Sequence, residues 1–283
     1  MRPVRHTAPG PIGIFDSGVG GLTVFREIER LLPDESLIYL GDSARVPYGT
    51  KSQETVQRYA REAAHYLLGR DIKMLVVACN TATAAALPHL RQELSIPVIG
   101  VVEPGATAAV RVTKGHVGVI ATEGTVRARA YTAAIHALRP DIQVVESSCP
   151  LFVPLAEEGW ANTRVAREVA EVYLRPMLDI GIDTLVLGCT HYPILRNTIE
   201  LVLGDSVAIV DSAETTAHRV RDELEARGLV SPSRRSEHLY LVTDAAERFS
   251  RIAGDFLDHA IRNLELVDLS STAPALIHAG GSV

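Results

Sequence analysis

Two short stretches carry the residue types best suited to acid–base chemistry. "LVVACNTATAAAL", ending at Leu87, and "LVLGCTHYPIL", ending at Leu195, each run from apolar residues through a small residue to a cysteine and then a polar Asn or Thr. Two of the chain's three cysteines, Cys79 and Cys189, therefore occupy the same place in the same local pattern. Each is expected where a strand gives way to a helix. The positive end of a helix dipole lowers a thiol's pKa and favours the thiolate. Asn80 and Thr81 follow the first cysteine, and Thr190 and His191 follow the second. Such donors beside free backbone N–H groups suit a carboxylate ligand.

A lone buried cysteine is more often a small hydrophobe than a reactive group. The matched pair argues against that reading here. Cys149, in "SSCPLF", lacks this context and is expected to serve packing. Zinc ligands usually come in close pairs, and neither cysteine has a second one nearby, so a metal site is the weaker reading. A redox disulfide is open if the two turns meet, but the Cys-x-x-Cys spacing of that chemistry is absent.

Three further segments could contribute. In "FDSGVGG", Asp16 and Ser17 stand at a strand end, where their bland role is to cap the next helix and their functional role is a polar wall. The glycines there do not follow G-x-G-x-x-G and no Walker lysine follows, so nucleotide binding is disfavoured. "GDSARVPYGTKS" is a polar loop shaped by Pro47 and Gly49, from which Tyr48 and the Gly49 backbone could face a ligand. Glu157 and Glu158 in "VPLAEEGW" read most simply as a solvated helix end.

These residues need a scaffold, and the chain has material for one. It has 283 residues, 47% of them hydrophobic, enough for one large core or two smaller ones. Short apolar runs such as "IGIF", "LIYL", "MLVVA" and "VIGVV" alternate with longer amphipathic stretches, and further strands are expected at "VGVIA", "IQVVE", "TLVLG", "VAIV" and "HLYLV". Continuously apolar strands suit parallel sheets covered on both faces, so the alternation predicts an α/β fold. In such folds the usable crevice lies beyond the carboxyl ends of the strands, where both cysteines fall. Gly228 is a stop signal for the helix in "ETTAHRVRDELEARG".

The repeat predicts two similar α/β domains with mainly parallel sheets. "VVEPGA" and "VDSAETT" are the expected crossing points. The division is residues 11–103 plus 214–269 for the first and 104–213 for the second, with residues 1–10 and 270–283 as loose tails. The net charge of −6 and the lack of a dense basic run disfavour nucleic acid as a partner. "PSRRSEH" reads as a surface loop. No apolar stretch would span a bilayer and no secretory core is present, so no membrane association and a cytoplasmic location are expected.

"GIFDSGVGGLTV", "YLGDSARVPYG", "ACNTATA" and "LGCTHYP", in that order from about Gly13 to Pro193, closely resemble the motifs of the glutamate racemases, within the cofactor-independent aspartate/glutamate racemases. His191 is informative, because related aspartate racemases tend to carry an acidic residue there. The resemblance implies two domains related by a pseudo-two-fold axis with the active site between them, no cofactor and no metal. It implies Cys79 and Cys189 on opposite faces of the substrate α-carbon, one thiolate removing the proton and the other thiol returning one. It implies that Asp16 assists Cys79, that His191 assists Cys189, and that Glu157 lies near the second site, with Glu158 as a rival. Substrate contacts are implied for Asp16, Ser17, Tyr48, Gly49, Asn80, Thr81, Thr190 and His191. The implied role is to supply D-glutamate for peptidoglycan, as a homodimer acting on a small molecule. A racemase for aspartate, or a non-catalytic protein binding an acidic amino acid, stays open beside it.

Overall fold

The computed structural model describes residues 10–232 and 237–269. The expected terminal tails, apart from Gly10, and the centre of the "PSRRSEH" loop lie outside the described residues. In chain order the first elements are β1 (Ile12–Asp16), α1 (Leu22–Leu31), β2 (Leu37–Gly41), α2 (Gln53–Leu68), β3 (Met74–Val77), α3 (Asn80–Glu93) and β4 (Val98–Gly100). Next come α4 (Val102–Val112), β5 (His116–Ala121), α5 (Glu123–Ala128), α6 (Ala130–Leu138), β6 (Gln143–Ser148), α7 (Phe152–Glu157) and α8 (Arg164–Asp179). The last are β7 (Thr184–Gly188), α9 (Arg196–Leu203), β8 (Ala208–Asp211), α10 (Ser212–Arg227), β9 (His238–Val242), α11 (Ala246–Leu257) and β10 (Leu264–Leu266).

The strands form two sheets, in the orders β10-β9-β2-β1-β3-β4 and β6-β5-β7-β8, with every pairing parallel. The order β2-β1-β3-β4 in one sheet is matched by β6-β5-β7-β8 in the other. In both, the first strand of the set lies between the second and the third, which makes a topological switch point beside its carboxyl end. β1, β2, β3 and β7 are buried along their whole length, as continuous apolar runs covered on both faces must be.

The chain leaves the first sheet through α4 and returns through α10. The expected strand "VIGVV" stops at Gly100, because Val102 already opens α4. Pro104 sits in that helix's first turn, where a missing N–H costs nothing. Asp211 caps α10 by accepting from the Ala213 N–H at 2.8 Å, and Gly228 ends it at φ 64°. One apolar cluster runs from Ile14 and Tyr39 through Val220 to Leu187 and Ile120, so the two sheets share a core. β10, which sequence reading missed, adds three residues at the edge beside β9. Among the described residues no helix is long and apolar enough to cross a membrane.

Candidate active site

Cys79 follows β3 and Cys189 follows β7, the third strand of the matched set in each sheet. Both thiols are free, buried and line one narrow cavity of about 70 Å³. Ser17, Tyr48, Gly49, Asn80 and Thr81 line it from the first sheet's loops, and Glu157, Thr190 and His191 from the second's.

The two cysteine turns are not alike. Cys79 is the N-cap of α3, its sulfur accepting from the Ala82 N–H at 3.4 Å, and Ser17 Oγ lies 3.7 Å away. Cys189 does not cap an α-helix. Its turn runs into a 3₁₀ segment at Tyr192–Leu195 before α9 begins. Pro193 fits that tighter turn, so the full helix dipole expected at both cysteines is present only at Cys79.

The dipole does not lower the Cys79 thiol. Burial pushes it up to about 12, and the nearby Asp16 carboxylate adds to the rise against the Ala82 N–H and Ser17. The expected thiolate at Cys79 is thus corrected: desolvation outweighs a few partial charges. Cys149, buried behind the second turn, is likewise pushed up to about 12 by burial.

On the other side a chain of polar groups leaves the cavity. Cys189 Sγ lies 3.9 Å from His191 Nδ1, and His191 Nε2 lies 3.0 Å from Glu157 Oε1. Burial alone would lower the imidazole, but the bonds to Cys189 and Glu157 outweigh it and push His191 up to about 10. Burial would raise Glu157, but His191 prevails and holds it below the ordinary carboxylate range. Arg248 of α11 donates to both Glu157 and Glu158 at 3.1 Å. Of the two glutamates left open by the sequence, Glu157 reaches His191 and Glu158 pairs with Arg248.

Asp16 does not itself line the cavity. It stands behind the cavity wall, fully buried, accepting from the Gly18 N–H at 2.9 Å and from Thr190 Oγ1 at 3.4 Å. Burial raises its carboxyl, with His191 the main opposing charge. Ser17 Oγ is the side-chain group hydrogen-bonded to Cys79, while Asp16 acts on that thiol through its charge. Tyr48 lines the cavity while its hydroxyl donates to buried Asp42. Gly20 explains the glycines of "FDSGVGG": a Cβ there would lie 2.4 Å from both His191 Nδ1 and Thr190 Oγ1.

Sequence reading missed Thr122, Val153, Tyr131 and Arg248. Thr122 lines the cavity after β5, as Ser17 does after β1, and its hydroxyl lies 2.8 Å from that of Thr81. Aligning the two halves of the repeat would have found it. Tyr131 and Arg248 leave no local signal, since each meets a site residue far away in the chain, Asn80 and Glu157 respectively.

The family model for Asp/Glu/hydantoin racemases matches residues 12–264. The chain belongs to that family. A glutamate racemase of Geobacter metallireducens is 54% identical over 92% of this chain and 97% of its own length. A solved glutamate racemase of Bacillus anthracis superposes with a TM-score of 0.90 at 42% identity, covering 93% of this chain and 99% of that one. Another, from Francisella tularensis in complex with D-glutamate, gives 0.88 at 37% identity, covering 93% and 99%. As a member of this family the protein is an isomerase, an amino-acid racemase.

Proposed function

We propose that the protein is a glutamate racemase that works through Cys79 and Cys189, needs no cofactor, and supplies D-glutamate for peptidoglycan. The relatives above act on glutamate by name, and one was solved with D-glutamate bound. The observation that carries the mechanism is that two thiols from matched turns of two sheets line one cavity among carboxylate-binding donors. In this reading residues 11–103 plus 214–269 form one unit and 104–213 the other, related by a pseudo-two-fold axis, and the protein works as a cytoplasmic homodimer.

Racemisation has two faces and needs an acid–base group on each. One thiolate takes the α-proton, and the opposite thiol delivers a proton; the reverse reaction exchanges their roles. A thiol held near 12 is a poor base at neutral pH. The substrate's ammonium would bring a positive charge into the cavity and favour the thiolate, coupling activation of Cys79 to binding. On the other face His191, held protonated by Glu157, offers a proton donor to Cys189. The carbanion-like species has no electron sink, so its charge must meet fixed donors such as Asn80, Thr81, Thr122 and Thr190 in a site that excludes water. Asp16 and Ser17 shape the Cys79 side, and Tyr48 and Gly49 the mouth.

Circular dichroism of purified protein with L-glutamate and no added cofactor tests the reading. Loss of optical activity is expected. Calorimetric binding without loss of signal over hours would instead mark a binding protein, and a higher kcat/KM on aspartate would reassign the substrate.

A further inference from the structure

Asn80 directly follows Cys79, is almost wholly buried and lines the cavity. Its side-chain oxygen accepts from the Tyr131 hydroxyl at 2.7 Å. Its Nδ2 is buried and has no partner among the described residues. A buried amide donor without a partner is costly, and few survive in native proteins without a reason. The partner on the oxygen side is itself tightly held. Tyr131 is fully buried at the start of α6, wedged between α4 and the turn leading to Cys189. A Cβ on Gly105 would lie 3.2 Å from its ring, and one on Gly188 would lie 3.0 Å from it. The bond also crosses the molecule: Tyr131 belongs to the layer of the second sheet, Asn80 to that of the first.

We propose that Tyr131 is a positioning residue that fixes the Asn80 amide with its N–H donors facing the substrate carboxylate beside Cys79. An amide can rotate to exchange its oxygen and nitrogen; with the Tyr131 hydroxyl donating to the oxygen, as it does here, the nitrogen is the end left for a ligand. The carboxylate next to the reacting carbon gains negative charge when the α-proton leaves, so a donor held toward it acts most strongly in the transition state. The inference rests on the racemase reading and adds to it a link between the packing of the two halves and the stabilisation of charge.

The test is a double-mutant cycle on racemisation of glutamate. Tyr131→Phe keeps the ring and removes the hydroxyl; kcat is expected to fall about tenfold with KM little changed, and Asn80→Ala to cost about 10²-fold. In the Asn80→Ala background, Tyr131→Phe is expected to add less than about twofold. Equal losses in both backgrounds, or an unchanged kcat in Tyr131→Phe, would overturn the proposal. The wild-type protein supplies an arm independent of the variants' folding. Its Asn80 amide resonances, identified by their absence in Asn80→Ala, should shift when D-glutamate is added, and unmoved resonances would overturn the proposal. A wild type that binds but does not racemise glutamate sinks the functional reading, whereas a racemising wild type indifferent to Tyr131→Phe sinks only the positioning role.

Discussion

The turns that carry Cys79 and Cys189 occupy the same slot in two sheets of the same strand order, yet they handle charge in different ways. Cys79 faces a helix N-terminus, a hydroxyl and a buried carboxylate. Cys189 faces an imidazole backed by a glutamate and an arginine. A common backbone position sets where the sulfurs stand, and different side chains surround them. In the proposed reaction one face depends on what the substrate brings, and the other has its proton donor built in.

The largest effect should come from removing either thiol. Cys79→Ser and Cys189→Ser are each expected to lower racemisation by about 10²–10⁴-fold or more, the range of a positioned acid–base group. The enantiomers have equal energy in water, so kcat/KM must fall equally in both directions and cannot reveal which face was lost. Exchange of the α-proton with deuterated solvent can. Each variant should retain exchange from one enantiomer only, and the two variants should choose opposite enantiomers. Exchange from both enantiomers in either variant would remove the two-face mechanism.

His191→Asn probes the asymmetry and should cost about 10²-fold. It also carries a pH signature in stability. The folded-state pKa of His191 is raised to about 10, above its ordinary 6.5. Its stabilising contribution is therefore complete below 6.5 and lost as pH rises through about 10. Glu157 is held low, so its contribution is present above the ordinary carboxylate pKa and lost in acid. Urea denaturation should show wild type more stable than His191→Asn at and below neutrality, with the gap narrowing as pH rises from about 6.5 to about 10 and level above that. A gap independent of pH would mean that packing, not charge, is what His191 supplies.

Gly20 ranks next. A methyl group there would sit 2.4 Å from His191 Nδ1 and Thr190 Oγ1, and both must move. Gly20→Ala should cost about 1–3 kcal/mol in stability, as overpacking does. Displacing His191 should also slow racemisation by about tenfold, because small errors in position are expensive in catalysis. Unchanged kinetics would show that the His191 geometry is not limiting.

Much of this site could be read from residue order, because strands buried on both faces announce themselves as apolar runs and the functional residues follow them. Thr122 was legible too, through the repeat. Other features were not, for physical reasons. Pro193 is as acceptable in the first turn of an α-helix as in a 3₁₀ turn, so "CTHYP" does not disclose which follows. The rise at Cys79 depends on desolvation by surrounding structure and on the nearness of Asp16, neither of which has a local pattern. Gly105 and Gly188, which admit the Tyr131 ring, are far apart in the chain and meet only once α4 and α6 pack on the second sheet.

Arg248 offers the smallest and most selective test of the comparison. It lies on α11, in the layer of the first sheet, and reaches across to Glu157 at the end of α7 and to Glu158 just after it. Its side chain is 52% exposed, so water and salt screen the pairing, and Arg248→Ala should cost no more than about 1 kcal/mol in stability. Its effect on rate should come through Glu157, whose second oxygen it holds while the first faces His191. Losing the arginine should leave Glu157 freer to turn from His191 and slow racemisation by about two- to fivefold, less so at high salt, where the wild-type pair is already weakened. Against a Glu157→Gln background the same change should do almost nothing, because the group it acts through is gone. A full additional loss in that background would place Arg248 outside the Cys189 relay and leave His191 and Glu157 to account for that face of the site alone.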